Sequence, residues 1–206
     1  GGLFTALQGL LPALAEHGVR VSLHGLLDAG WSLDADSWGD AEVYAHKVNG
    51  PAAFGYSAPM RRAVRQTPAD VVHCHGLWKY PSLLARRVQR GKRVPLVVSP
   101  HGMLNEQALQ VARLKKKIAL LAYERHSIMH AQCLHALVDT ELDAIRRFGY
   151  RGPVCVIPNG VPAAGERSAL VAPWWQHSLG IAPDAPVLLY LGRKHPIKNL
   201  DGLLAA

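Results

Sequence analysis

The residues of this chain whose types and spacing could do chemistry are histidines, cations and glycines at the ends of apolar runs. In SPHGML, His101 directly follows a buried-strand pattern and is held between Pro100 and Gly102. A histidine so placed can donate a hydrogen bond to a bound group, and its ordinary pKa suits proton traffic near neutrality. In VHCHGLW, His73 and His75 stand at i and i+2, on one face of a strand end. They are either half of a metal site or hydrogen-bonding groups at a cleft edge, since no carboxylate or third histidine accompanies them at ligand spacing. Trp78 is a stacking surface for a sugar or base, or part of the core. In LGRKHPIKN, Arg193 and Lys198 flank a strand-to-helix turn. Two fixed cations beside a helix N-terminus suit a diphosphate and the charge that develops on it; a solvated basic loop is the plainer reading. Gly1 and Gly2 open a helix, where bare backbone approaches an anion closely or simply makes a tight turn.

These residues need elements to position them. Leu3, Leu7, Leu10, Leu11, Leu14 and Ala15 repeat with the period of a helix packed on a sheet, and Gly18 stops it. VRVSLHGLL reads as a strand, followed by loops around a short strand at AEVYAH. ADVVHCHG, VPLVVS, CLHALV and GPVCVI read as further strands. The helices between them are PSLLARRVQR, a long amphipathic one from about Leu104 to His130, and TELDAIRRFG. Thr140 and Asp143 form a capping-box pattern, and Glu141 in the first turn suits the helix dipole.

Alternating strands and helices with apolar strands predict an α/β fold, a doubly wound parallel sheet with helices on both faces. In such sheets ligands bind beyond the carboxyl ends of the strands, which is where His75 and His101 fall. The expected organisation is a doubly wound domain over 1–161 that lacks its first strand. A linker rich in proline and small residues follows at 162–173. A second α/β domain begins over 174–206, where APVLLY reads as its first strand. Both domains are expected to be truncated.

The totals exclude several classes. With 49% apolar and 18% charged residues over 206 positions the composition is that of a globular protein, and no run is long enough to span a membrane. Cys74, Cys133 and Cys155 have no paired spacing, which argues against a disulfide scaffold or zinc ribbon and fits a reducing compartment. The net charge of +8 favours anionic partners, and RLKKK at 113–117 suits either an anionic membrane surface or a solvated helix face. His126 and His130 stand at i and i+4 but lack the glutamate of a zinc-protease motif. The chain has no G-x-S-x-G, no P-loop and no G-x-G-x-x-G, which weakens hydrolase, NTPase and dinucleotide readings.

In order and spacing, the opening glycine pair, VHCHGLW, SPHGML, LHALVDTEL, VIPNGV and LGRKHPIKN resemble the GT-B glycosyltransferases of family 4, the group 1 retaining enzymes, and especially those that build lipopolysaccharide or exopolysaccharide. The resemblance implies two Rossmann-like domains, the first for the acceptor and the second for a nucleotide-diphosphate sugar. It implies that Gly1 and Gly2 approach the donor diphosphate, that His101 contacts the transferred sugar, and that Arg193 and Lys198 bind the leaving diphosphate. His75, Trp78 and Glu141 would line the acceptor cleft. No metal or other cofactor is expected, only the nucleotide sugar as co-substrate. The implied activity is a metal-independent hexosyl transfer to a glycan or lipid-linked acceptor, with a cytoplasmic location, peripheral contact with the inner membrane face and no nucleic acid.

Two residues depart from the family pattern. Asn199 stands where a glycine is common after the motif lysine, and Val138 where a serine or threonine is common. The family's glutamate pair would lie beyond residue 206, so the segment alone is expected to be inactive. Other readings are a GT-B sugar-phosphate synthase or nucleotide-sugar epimerase, and a non-catalytic module binding anions or nucleic acid.

Overall fold

The computed structural model describes residues 2–31, 38, 41–160, 178–182, 185–192 and 199–205. The chain divides into two compact units, Gly1–Val161 and Pro162–Ala206.

The first unit opens with α1 (Gly2–Glu16), which buries Leu7 and Leu11. Gly18, at φ 75°, ends it in the left-handed turn that glycine adopts without strain. Strand β1 (Ser22–Leu26) pairs in parallel with β2 (Glu42–His46). Helix α2 (Ala58–Gln66) follows, where the sequence pattern reads as loops. Its start signal is legible in hindsight: Ser57 caps the Met60 N–H at 3.2 Å, and Pro59 occupies the first turn, where its missing N–H costs nothing.

Strands β3 (Val72–His75), β4 (Leu96–Ser99), β5 (Cys133–Ala136) and β6 (Val154–Val156) form a four-stranded sheet in that order, every pair parallel. Parallel neighbours need crossovers. These are α3 (Tyr80–Lys92) between β3 and β4, and α7 (Asp139–Phe148) between β5 and β6. Between β4 and β5 lie α4 (Glu106–Gln110), α5 (Arg113–Ala119), a π turn (Leu120–Glu124) and α6 (Arg125–Met129). The result is the expected Rossmann-like α/β architecture, and it brings all four carboxyl ends to one edge.

The faces of this sheet differ. Cys74, Leu96, Val98, Leu134 and Ala136 join Ala85, Ile128, Ile145 and Tyr150 in the main core. Leu134, Ile128 and Ile145 are fully buried, each contributing about 2 kcal/mol relative to an exposed side chain. By period-two alternation and the strand register, the other face carries His73, His75, Val97, Ser99, Cys133, His135 and Cys155. A second cluster packs Met60, Tyr80, Leu84 and Val88 between α2 and α3.

The structure corrects three further expectations. The single helix over 104–130 is broken at Val111–Ala112, where Ala112 has φ 52°, and again by the π turn. Apolar periodicity reports which side faces inward, and a break that keeps Ile128 and Ser127 inward leaves the pattern intact. The cap of α7 is Val138, with no side-chain hydrogen bond, so Thr140 does not begin a capping box. Residues 186–190 form no strand, and Leu188, Leu189 and Leu191 are exposed. A strand exists by ladder pairing, and no strand among the described residues forms a ladder with this segment. The linker at 162–173 lies outside the described residues.

Candidate active site at the strand ends

The edge formed by the ends of β3, β4 and β5 gathers four histidines. His101 follows Ser99 and Pro100, and its backbone sits at φ 51°; the next residue, Gly102, is at φ 74°. Two consecutive left-handed residues turn the chain sharply out of the strand. A non-glycine residue there costs free energy that the surrounding contacts must hold. On the neighbouring strand, Gly76 at φ 83° and Trp78 at φ 73° make a comparable exit from β3. The Gly76 N–H donates to the Ser99 carbonyl at 2.8 Å, and a Cβ on Gly76 would lie 3.3 Å from the Met103 Cε. The two exits are therefore packed against each other.

His75 and His101 meet across these exits, Nδ1 of His75 to Nε2 of His101 at 3.0 Å, with rings stacked at 5.2 Å. Burial lowers the His75 pKa to about 3, with the nearby His73, His101 and His135 adding to the effect. Burial also lowers that of His101, against a raising influence from Glu141. Both rings are neutral near pH 7, so one nitrogen of the pair donates and the other accepts. The Nδ1 of His101 is not used in this bond.

A second chain of bonds runs beside the first. The His135 Nε2 lies 2.8 Å from the Ile157 carbonyl, which can only accept, so that nitrogen carries a hydrogen. The His135 Nδ1 shares a hydrogen bond with the Ser99 hydroxyl at 2.9 Å. The same Ser99 hydroxyl is hydrogen-bonded to His73 Nε2 at 2.7 Å. His73 is exposed as a residue, yet its ring sits among imidazoles and a buried serine. Burial of the ring, with His135 and His101 adding, lowers its pKa to about 4. One chain of bonds thus joins three side chains on three strands to a backbone carbonyl. Among the described residues no three His, Cys, Asp or Glu side chains stand together as a metal-holding group.

Two buried carboxylates hold the loops from behind. Glu141, 3% exposed, accepts from the Gly102 N–H at 2.6 Å and the Leu137 N–H at 2.8 Å. Its oxygens serve the exits of β4 and β5. Glu124, fully buried, accepts through Oε2 from the Trp78 N–H at 2.6 Å and the Ser82 hydroxyl at 2.8 Å. Its Oε1 has no partner, and burial raises its pKa to about 7 despite both hydrogen bonds. The Trp78 carbonyl accepts from the Tyr123 hydroxyl at 2.8 Å, while the indole packs against the core with Lys116 Nζ 5.7 Å from its centroid.

Residues 1–160 match the glycosyl transferase 4-like domain family. The chain belongs to that family. No curated protein and no solved structure matches it. Within this glycosyltransferase domain the structure brings His75 and His101 into contact and places Trp78 in the adjoining loop and Glu141 in the first turn of α7. Gly2 is the first residue of α1. Gly1, Arg193 and Lys198 lie outside the described residues. Asn199, which follows them, has φ 47°, a conformation that asparagine tolerates better than most residues and glycine better still.

Sequence reasoning missed Ser99, His135 and Glu124. The signal for Glu124 was present: it lies at i+4 from Leu120 and i−4 from Ile128, a lone acid on an apolar helical face.

Proposed function

We propose that the intact protein is a retaining glycosyltransferase that moves a sugar from a nucleotide-diphosphate sugar to a glycan or lipid-linked acceptor in surface-polysaccharide synthesis, working at the cytoplasmic side of the membrane. The observation that carries this reading is His101. It lies within the matched domain, at the carboxyl end of a central parallel strand, with its ring held by His75.

In the reaction, the bond between the anomeric carbon and the diphosphate oxygen breaks, and its electron pair leaves on that oxygen. The acceptor hydroxyl oxygen forms the new bond from the same face, and its proton passes to the departing phosphate or to solvent. A neutral His101 gives or takes a hydrogen bond at a sugar hydroxyl without bringing a competing charge. Arg193 and Lys198, by the family resemblance, neutralise the charge growing on the diphosphate. That division of labour needs cations on the leaving group and a neutral, oriented polar group on the sugar.

The test is calorimetric binding of a panel of nucleotide-diphosphate sugars to the intact protein, followed by NMR of the product's anomeric configuration. Binding of one donor, a retained anomer and a large loss of turnover in His101→Ala are expected. Failure of every donor to bind overturns the reading, and an inverted anomer overturns retention.

A further inference from the structure

Helices α2 and α3 lie side by side and pack Met60, Leu84 and Val88 between them. Over the buried Leu84 and Val88 opens a cavity of about 460 Å³, walled by Arg61 and Arg65 from α2 and by Arg87 and Lys92 from α3. Helical spacing brings these side chains together. Arg61 and Arg65 stand at i and i+4, and Leu84, Arg87, Val88 and Gly91 recur at the three- and four-residue steps of one face of α3. Arg65 and Lys92 are in the last turns of their helices, and β3 and β4 begin shortly after those turns. The cavity therefore lies toward the amino edge of the sheet, whereas His75 and His101 meet at the carboxyl edge.

Nothing nearby cancels the charge. From residue 43 to residue 105 the chain holds ten lysines and arginines and one acid, Asp70. Among the described residues none of the four cations is in an ion pair with a carboxylate. The Tyr80 hydroxyl, one turn before Leu84 on the same face, is buried without a hydrogen-bond partner. Its surroundings are cationic: burial raises its pKa, Tyr56 adds to that, and Arg61, Arg87 and Arg65 oppose it. The helix dipole accounts for cations in last turns, hence for Arg65 and Lys92. It does not account for Arg61, nearer the start of α2, or for Arg87, in the middle of α3. Four like charges around one opening repel each other, and an anion among them relieves that repulsion.

Guanidinium groups grip phosphate oxygens in pairs. Four positive charges exceed what one phosphate neutralises and match two phosphoryl groups held together. The cavity volume and its apolar floor are those of a small-molecule site. We propose that the cavity between α2 and α3 is a second anion site, which binds a soluble diphosphate or bisphosphorylated small molecule through Arg61, Arg65, Arg87 and Lys92. It is separate from the strand-end site and does not depend on the sugar-transfer reading.

Inorganic diphosphate is the probe, titrated calorimetrically into the intact protein carrying Arg193→Ala/Lys198→Ala, which removes the cations implied for the donor diphosphate. One diphosphate per chain is expected to bind, about tenfold or more tighter than inorganic phosphate, and to raise the melting temperature. In the same background Arg61→Ser/Arg87→Ser should weaken it by about tenfold or more. Gly91→Leu should do likewise without altering any charge. Gly91 lines the cavity, is exposed and has nothing within 4 Å of an added Cβ, so the leucine fits the helix and fills the opening. Circular dichroism checks the fold of each variant. Phosphatidylglycerol vesicles are expected not to compete with the diphosphate. Absence of diphosphate binding overturns the proposal, and so does binding unaltered by the double serine variant or by Gly91→Leu. Competition by the vesicles would assign the cavity to a lipid headgroup and overturn the soluble ligand.

Discussion

The carboxylate of Glu141 takes the amide hydrogen of Gly102 at 2.6 Å, joining the start of α7 to the turn that carries His101. Its second oxygen takes the Leu137 N–H at 2.8 Å. One side chain thereby fixes the exits of two adjacent strands. Glu141→Ala leaves two backbone donors without their partner and should cost about 2–4 kcal/mol, read from denaturant midpoints. Glu141→Gln keeps one acceptor and turns an NH2 group toward the other amide, so it should fall between wild type and alanine. Alanine as stable as wild type would remove Glu141 from this role.

Loss of the His75 ring should act through His101. His101→Ala is expected to reduce kcat of the intact protein by about 10²–10³, the usual cost of one preorganised polar group. His75→Ala should give a smaller drop in kcat with little change in KM, and His75→Asn should restore part of it by supplying a hydrogen-bonding atom. A His75→Ala enzyme with unaltered kcat would show that the ring contact does not orient His101.

Stability should fall on the acid side because of the imidazoles. His75 and His73 have pKa values lowered from 6.5 to about 3 and about 4, and that of His101 is also lowered. A lowered histidine binds its proton less readily folded than unfolded. Its neutral form therefore stabilises the fold fully above 6.5, and the contribution is lost as pH falls from 6.5 toward 4 and then 3. Urea titrations across this window should show a steep loss in wild type and a shallower one in His75→Asn.

Glu124 should bend the curve the other way. Its pKa is raised from 4.5 to about 7. The folded state holds the proton between those values and the unfolded state does not, so stability is full below 4.5 and declines as pH rises through about 7. Glu124→Gln keeps an acceptor for the Trp78 N–H and the Ser82 hydroxyl and removes the ionisation, so the decline between pH 4.5 and about 7 should flatten. Glu124→Ala should destabilise at every pH by about 2–4 kcal/mol, from a buried gap and two lost hydrogen bonds. A decline of undiminished slope in the glutamine variant would assign it to another group.

Gly76→Ala tests the packing of the two exits. The substitution forces a side chain into φ 83° and to 3.3 Å from the Met103 Cε. A loss of about 1–3 kcal/mol is expected. A melting temperature unchanged from wild type would show that the loop relaxes freely.

How much of this was legible depended on how local the cause was. The strands of the main sheet were readable because buried parallel strands are short apolar runs ending in glycine or proline, and HCHG and SPHG have that form. His75 and His101 stood out because strand ends face the ligand side of such a sheet. Helix α2 was missed although Ser57 and Pro59 signal it, since its packed residues Met60 and Val64 are few and the helix is otherwise small residues, proline, arginine and glutamine. The break at Ala112 carries no glycine or proline to announce it.

The sequence by itself determined the α/β class, the family and the strand-end placement of the histidines, because hydrophobic period and turn chemistry act over a few neighbouring residues. Only the tertiary structure decided which groups those histidines touch. His75 lies 26 residues from His101, Ser99 36 from His135, and Glu124 46 from Trp78. Strand register and crossovers set those encounters. So do the protonation states, since an imidazole or a carboxyl shifts only when folding removes its water. Leu114, Ile118 and Leu121, all exposed, make the same point from outside: apolar spacing announced a helix face, and packing decided that this face stays uncovered.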